Sequence, residues 1–154
     1  MTLIDILNRD AIISILNPVS KKQVFQNISV HLSAMAPLSA SEIFEALMHR
    51  EKLGSTSIGN GIAIPHAKFK TIHSLIGLFA RLEKPLAFDA LDEAPVDIVF
   101  VLLAPEGAGA DHLKGLAQIA RLLRDQDRTK RLRSTLDSDL IYSILCETPN
   151  LKAA

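Results

Sequence analysis

The first third of the chain carries apolar residues at helical spacing. The apolar positions that follow Ser20 are Val24, Ile28, Leu32 and Met35. Positions three or four residues apart share one face of a helix, so a helix is predicted here, capped by Ser20 and ended by Pro37. Ser39 and Glu42 form the S-x-x-E pattern of a capping box, which opens a second helix. Gly54 closes that second helix.

Two longer apolar segments in the middle of the chain predict strands. They cover residues 75–82 and 96–103, and the second is almost continuously apolar. An uninterrupted apolar strand fits the centre of a sheet that is buried on both faces. A shorter apolar segment, Ile62-Ala63-Ile64, stops at Pro65. The middle of the chain therefore supplies the strands of the predicted sheet.

Helical spacing returns in the last third of the chain, after a loop at residues 105–110. Asp111 can cap a helix with an apolar face, and residues 128–136 and 140–145 predict two further short helices. Helices and strands are interleaved without a linker or an internal repeat. The pattern predicts a single α/β domain over residues 1–154, in three layers, with a mixed β-sheet flanked by helices on both faces.

Composition narrows the classes of function. Seventeen basic and seventeen acidic side chains cancel, so no net charge attracts nucleic acid or anionic lipid. The longest apolar run covers residues 98–104, far short of the roughly 20 residues that a membrane helix needs. The amino terminus has no signal-peptide pattern, and Cys146 has no second cysteine with which to form a disulfide. We therefore expect a cytoplasmic protein without membrane insertion or nucleic-acid binding.

Residues 50–68 concentrate glycines, hydroxyls, an amide and a histidine between a helix and an apolar segment. Gly54 and Gly59 have the separation of a P-loop, but Asn60 and Gly61 follow where that motif needs Lys and then Ser or Thr. The dinucleotide fingerprint fails as well, because Ile64 stands where it needs Gly or Ala. Neither nucleotide-binding motif is present.

His66 is the candidate reactive group of this stretch. Its ordinary pKa leaves the imidazole neutral at cytoplasmic pH, so a ring nitrogen can attack phosphorus with its lone pair. Phosphoryl transfer then needs mainly positioning and donors for the phosphoryl oxygens. Candidate donors in the same stretch are Arg50, Thr56, Ser57 and the backbone of Gly59, Asn60 and Gly61. The histidines have no metal-binding spacing, so neither a metal nor a cofactor is predicted.

The string S-T-S-I-G-N-G-I-A-I-P-H, residues 55–66, resembles the signature of enzyme IIA proteins of the fructose/mannitol and nitrogen-related phosphotransferase systems. The resemblance extends over residues 3–142. Other stretches similar to landmarks of this family are Arg50-Glu51, Phe88-Asp89-Ala90, Pro95-Val96-Asp97 and His112-Leu113.

This resemblance implies the type-2 enzyme IIA fold and a phosphoryl group on His66, delivered by an HPr-like phosphocarrier protein. It also implies that Arg50 and His112 lie at the active site. The chain reads as a free-standing IIA domain with no IIB or permease segment, which favours the nitrogen-regulatory branch. In that branch the two phosphorylation states would bind regulatory proteins, such as transporters or sensor kinases, differently.

Two other functions remain as alternatives. A sugar-specific enzyme IIA would donate its phosphoryl group to a separate IIB in sugar uptake. A pure ligand-binding module would ignore phosphoenolpyruvate altogether. The sequence leaves the oligomeric state open, including a homo-oligomer.

Three further expectations concern the backbone near His66, a docking face around it and a basic cluster later in the chain. Relatives commonly have glycine where this chain has Ser57 and Ala67, and a positive φ at either position would cost about 1 kcal/mol or more. The expected apolar rim of a docking face consists of Ile58, Ile62, Ala67 and Phe69. The basic cluster, expected to be a solvated face, consists of Arg128, Lys130, Arg131 and Arg133.

Overall fold

A mixed sheet lies between two groups of helices in the computed structural model, which describes residues 3–147. Within those residues the strands are β1 (Leu7–Leu16), β2 (Ser57–Gly59), β3 (Ile62–Ala63), β4 (His66–Phe69), β5 (Ile76–Leu86) and β6 (Val96–Pro105). The helices are α1 (Lys21–Ser33), α2 (Ala40–Lys52), α3 (Ala110–Leu123), α4 (Gln126–Arg133) and α5 (Ser138–Cys146), with a short 3-10 helix at Leu3–Asp5. Of the predicted domain, residues 1–2 and 148–154 lie outside the described part.

Strand β6 is the centre of the sheet. It pairs antiparallel with β5 along one side, and parallel with β3 and then β4 along the other. β1 runs parallel to β5 at one edge, and β2 runs antiparallel to β3 at the opposite edge. Every residue of β6 from Ile98 to Ala104 is fully buried, because helices cover both faces of this strand. The predicted central strand is confirmed.

The helices form a layer on each face. α1 and α2 pack together and contact β5 and β4, whereas α3 contacts β6 and α5 contacts β1. Leu102 of β6 lies against Gly115 of α3, and its neighbour Leu103 points to the other face and is also fully buried. The predicted three-layer α/β fold is therefore confirmed. Within residues 3–147 no helix is both long enough and apolar enough to span a bilayer.

Capping explains where the helices start. Ser20 accepts a hydrogen bond from the Gln23 amide at 3.1 Å, and Ser39 forms the predicted capping box with Glu42. The predicted cap of α3 is wrong: Gly109, with φ +47°, precedes the helix, and Asp111 is already its second residue. Glycine adopts this φ without the clash that a Cβ would cause.

Candidate functional site

His66 is the first residue of β4, directly after the proline that separates this strand from β3. The Leu102 amide donates to the Pro65 carbonyl at 3.0 Å, so β6 continues to pair across the interruption. His66 pairs in register with Leu102, and paired residues of neighbouring strands point to the same face of a sheet. Since Leu102 packs against α3, the half-buried His66 ring also faces α3.

A backbone carbonyl fixes the tautomer of His66. Its Nδ1 lies 2.8 Å from the Ile64 carbonyl oxygen, and a carbonyl oxygen can only accept, so Nδ1 carries the proton. Burial lowers the pKa of His66, and the positive charge of Arg50 lowers it further. The hydrogen bond to Ile64 and the charge of Glu51 oppose this pKa shift without reversing it. The ring is therefore neutral at neutral pH and has its free lone pair on Nε2.

His112 lies beside His66, in the first turn of α3. The two ring centroids are 5.6 Å apart and the rings meet edge to face. His112 is only 5% exposed, and its buried Nε2 has no hydrogen-bond partner among residues 3–147. Burial lowers the pKa of His112, as do the charges of His66 and Lys68. An unpartnered buried ring nitrogen is uncommon, which makes this Nε2 a candidate hydrogen-bonding group of the site.

Arg50 approaches the histidines from the other layer. It lies in the last turn of α2, half-buried, and its Nη1 donates to the Gly54 carbonyl at 2.9 Å. That bond anchors the guanidinium next to the start of the glycine-rich stretch. Its charge is near enough to lower the pKa of His66. The structure thus brings together His66, His112 and Arg50, the three residues predicted to be catalytic.

Glu51 is a buried carboxylate behind the site. No role was predicted for it. It is 6% exposed and lies 2.9 Å from Lys21 Nζ. The Thr56 amide donates to it at 3.1 Å and the Thr56 hydroxyl at 2.7 Å. One signal was present in the sequence: Ile43, Leu47 and Glu51 are four residues apart and share the buried face of α2.

The hydroxyls predicted to bind the phosphoryl group already have partners. Thr56 is buried and donates to Glu51, while Ser57 donates to the Ile62 carbonyl at 3.1 Å and accepts from the Gly59 amide. A hydroxyl has a single proton to give. Thr56 and Ser57 therefore shape this segment, and neither has a proton left for a phosphoryl oxygen.

The glycine-rich turn itself lies away from His66. Asn60 and Gly61 have φ +57° and +82° and join β2 to β3 as a two-residue hairpin loop. The Gly61 carbonyl accepts from the Asp97 amide at the start of β6, five residues before the Leu102 that pairs with His66. At about 3.3 Å per residue this is roughly 16 Å along the sheet. The geometry does not support Gly59, Asn60 and Gly61 as phosphoryl-binding residues.

A side-chain clamp accounts for this turn instead. Arg133 donates to both carboxylate oxygens of Asp97 and, at 2.8 Å, to the Asn60 carbonyl. The Asn60 amide donates to Asp92 at 3.0 Å, and the backbone amides that bond Asp92 lower the pKa of its carboxyl. The hairpin is thus tied to the start of β6 and to α4.

The basic cluster of α4 is only in part the solvated face that was expected: Lys130 and Arg131 are exposed, but Arg128 and Arg133 are not. Arg128 is buried and donates to the Ile144 carbonyl at the end of α5, at 2.6 Å. Arg131 makes a two-pronged bond with Glu147, which raises the pKa of Arg131 and lowers the pKa of Glu147. With Arg133 bound to Asp97, these three guanidiniums fasten α4 to its neighbours.

The expected docking rim is also wrong in most of its residues. Ile62, Ala67 and Phe69 are buried in the core and Ile58 is half-buried. Two exposed leucines lie close in the chain to the site residues: Leu53 is 75% exposed and Leu113 is 69% exposed. Leu53 follows α2, and Leu113 comes directly after His112.

Replacing glycine by Ser57 and Ala67 introduces no backbone strain. Ser57 is in β2 and Ala67 in β4, and neither has a positive φ. Both positions have extended backbone, which any residue can adopt. The backbone at Ser57 and Ala67 therefore has the geometry of ordinary strands.

The fold and the family match define a phosphotransferase component. The chain belongs to the family described as phosphoenolpyruvate-dependent sugar phosphotransferase system, EIIA 2, whose model matches residues 5–148. It is 49% identical over 149 residues to a nitrogen regulatory protein of Bradyrhizobium diazoefficiens, covering 97% of each chain.

Solved structures agree with this assignment. The crystal structure of the nitrogen regulatory protein IIA-Ntr from Neisseria meningitidis matches with a TM-score of 0.89 and 35% identity, covering 94% of this chain and 99% of that one. The IIA mannitol protein from Escherichia coli matches with a TM-score of 0.76 over 90% and 97% of the two chains. Its 18% identity shows a common fold alone.

Proposed function

We propose that this protein is a phosphohistidine carrier of a nitrogen-related phosphotransferase system and that it accepts the phosphoryl group on Nε2 of His66. The observation that carries the proposal is the fixed tautomer. The Ile64 carbonyl oxygen lies 2.8 Å from Nδ1 of His66 and keeps the proton on that nitrogen. Nε2 therefore keeps its lone pair, and the His66 ring lies beside the buried His112. The likeness to nitrogen regulatory proteins supports the regulatory branch.

The transfer step balances without a further reactant. The Nε2 lone pair of His66 attacks the phosphorus of a phosphohistidine on an HPr-like donor. The new nitrogen–phosphorus bond forms as the donor's bond breaks, and the donor nitrogen recovers its electron pair. The Nδ1 proton stays in its hydrogen bond to Ile64 throughout. A lowered pKa of His66 serves this step, because a protonated ring has no lone pair to offer.

Three groups are placed to stabilise the transferred phosphoryl group. His112 can donate from Nε2 to a phosphoryl oxygen, and Arg50 supplies positive charge close to His66. His112 lies in the first turn of α3, where the helix dipole also favours negative charge. Donors that are already in place need little rearrangement when the charge arrives.

Regulation follows from the charge that the phosphoryl group adds. A phosphoryl group brings close to two negative charges at pH 7. A partner that packs against exposed leucines such as Leu53 and Leu113 would meet that charge at its interface in one state only. The two states would therefore bind regulatory targets, such as transporters or sensor kinases, with different affinities.

Intact mass spectrometry tests the proposal directly. The protein is incubated with phosphoenolpyruvate and the two general phosphotransferase proteins, and a mass gain of one phosphoryl group is expected. The adduct should be lost in acid and survive alkali, as a nitrogen–phosphorus bond does. His66→Ala should keep its fold and gain no mass. Undiminished labelling of His66→Ala would refute the assignment.

The protein that receives the phosphoryl group from His66 distinguishes a sugar-specific role from a regulatory one. A sugar-specific enzyme IIA passes its phosphoryl group to a IIB domain. The labelled protein is therefore mixed with fructose-type and mannitol-type IIB domains, and we expect the label to stay on His66. Rapid transfer to one of them would replace the regulatory role by a role in sugar uptake.

A further inference from the structure

We propose that Glu51 is a positioning residue for His66, acting through Thr56 and the carbonyl of Ile64. The inference rests on the proposed role of His66 as the phosphoryl acceptor. Glu51 does not touch the reacting atoms. Its contribution is to hold the backbone that fixes which nitrogen of His66 is free.

Burial of the Glu51 carboxylate carries a cost in free energy. A charge taken out of water is destabilising unless it is paired and hydrogen-bonded. Glu51 has a side chain 3% exposed, and it is satisfied by Lys21 Nζ at 2.9 Å and by two donors of Thr56. Buried ion pairs can often be replaced by apolar residues with no loss of stability. Stability alone therefore does not account for a carboxylate at the end of the apolar face of α2.

A chain of hydrogen bonds leads from Glu51 to the His66 ring. Both the amide and the hydroxyl of Thr56 donate to Glu51. The Thr56 carbonyl accepts from the Ile64 amide at 3.0 Å. The Ile64 carbonyl in turn accepts from Nδ1 of His66 at 2.8 Å. Each bond places the donor or acceptor of the next one, so a displaced Thr56 moves the carbonyl that holds the Nδ1 proton.

Lys21 fixes the far end of this chain of hydrogen bonds. Lys21 is the first residue of α1, its side chain is 20% exposed, and it also donates to the Phe88 carbonyl at 3.2 Å. Ser55 donates to the same carbonyl at 2.8 Å. Glu51 is thus held between α1 and the segment after β5. Thr56 is positioned against Glu51, which Lys21 and the Phe88 carbonyl hold in place through the contacts of Lys21.

The burial of Glu51 also orients its neighbour Arg50. Successive side chains on a helix are about 100° apart. With Glu51 directed into the core, Arg50 is directed along the surface, where it bonds the Gly54 carbonyl. One buried carboxylate therefore orients two groups of the site, His66 through Thr56 and Ile64, and Arg50 through the helix.

The test compares three variants of the full chain. Lys21→Met with Glu51→Met removes both charges and all acceptors at similar volume. Glu51→Gln keeps the shape and one acceptor oxygen. Glu45→Gln, on the exposed face of the same helix, is the matched control. The readouts are the His66 tautomer, from nitrogen chemical shifts in NMR, and the rate of phosphoryl transfer from the phosphorylated HPr-like donor.

We expect the double variant to fold, to show a mixture of His66 tautomers and to accept the phosphoryl group about 10- to 100-fold more slowly, the usual effect of a small misplacement of a reacting group. Glu51→Gln should lie between the double variant and the control, and Glu45→Gln should equal the wild type. A residue that only stabilised the fold would leave the tautomer unchanged.

Each outcome decides the proposal. A folded double variant with the wild-type tautomer and rate overturns it. If the double variant does not fold, Glu51→Gln decides alone, and equality with Glu45→Gln in both readouts overturns the proposal; loss of folding in both variants assigns Glu51 to stability instead. If the wild type accepts no phosphoryl group, the proposed function fails, whereas the tautomer still tests Glu51 independently.

Discussion

Replacing Gly61 by alanine separates the two roles that the glycine-rich stretch could have. Gly61 was predicted to bind the phosphoryl group, but it lies in the β2–β3 turn, roughly 16 Å along the sheet from His66. It has φ +82°. A Cβ on it would lie 2.9 Å from Arg133 Nη2, 3.1 Å from Asp97 Oδ1 and 3.3 Å from the Pro95 carbonyl oxygen. We therefore expect Gly61→Ala to lower stability and to leave phosphoryl acceptance close to wild type.

The size of the effect follows from two contributions. A side chain at positive φ costs about 1–2 kcal/mol. The Arg133 fork must also move away from Asp97, and because both side chains are partly exposed, 33% and 22%, the weakened bonds cost about 1–2 kcal/mol. The sum is about 2–4 kcal/mol. For a chain of this size that is a fall in Tm of about 4–16 °C.

The assay is thermal and urea unfolding followed by circular dichroism, with the phosphorylation rate measured below the transition. Gly107→Ala is the control, because a Cβ there meets nothing within 4 Å and should change stability by less than about 0.5 kcal/mol. If Gly61→Ala were as stable as Gly107→Ala, the clamp around Gly61 would carry no energy. A stable Gly61→Ala protein that lost phosphorylation would place this turn in the site after all.

Two further predictions concern the histidines. His112→Phe keeps the volume of the ring and removes its donor, so it should shorten the lifetime of the phosphorylated protein by about tenfold or more, as loss of a hydrogen bond to a charged group does; an unchanged lifetime would exclude His112 from the site. The rate of acceptance should fall with decreasing pH as the His66 lone pair is protonated. Since burial, with the charge of Arg50, lowers the pKa of His66, the midpoint should lie below the ordinary histidine value. A midpoint above that value, measured as initial rate against pH, would contradict the pKa shift.

Local rules predicted the elements whose side chains repeat regularly. The apolar positions of α1 and α2 lie on one face, and Ser20 and Ser39 cap these helices where the sequence placed them. β6 was recognisable because it is apolar on both faces. Each of these elements packs against the core on one face or on both faces. The regular spacing of its apolar residues in the sequence reflects that packing directly.

Three strands were not predicted, since their pairing is long-range. β1 carries exposed Asn8, Arg9 and Asp10 within its length, which interrupts the alternation of a strand. β2 and β4 have three and four residues, too few for a period to show. Asn60-Gly61 is a strong hairpin signal, and with Ile62-Ala63 after it β2 could have been found. β4 depends on pairing with β6 across some thirty residues of chain, which no local pattern records.

The site divides in the same way. The motif located His66 and offered Arg50 as a donor, and the resemblance added His112, because residue type and order are visible in a sequence. The motif did not show the bond from His66 Nδ1 to Ile64, since a backbone carbonyl has no residue type to recognise. The motif also suggested that the hydroxyls of Thr56 and Ser57 face the ligand. In the structure Thr56 and Ser57 give their protons to protein acceptors, since a hydroxyl that is withdrawn from water is stabilised by a protein partner.

The glycine-rich stretch therefore consists of two consecutive segments with different roles. Residues 57–62 form a hairpin that Arg133, Asp92 and Asp97 fasten to the start of β6. The residues that follow the hairpin, from Ile64 to His66, form the reactive part, with Pro65 between the histidine and the residue whose carbonyl fixes its tautomer. β3 and β4 pair with the same edge of β6, so the ladder bonds of β3 hold the register in which His66 meets Leu102, and the clamp reinforces a register that does not depend on it. A one-residue slip would turn His66 to the opposite face, away from His112. The hairpin thus serves the site through register and not through contact.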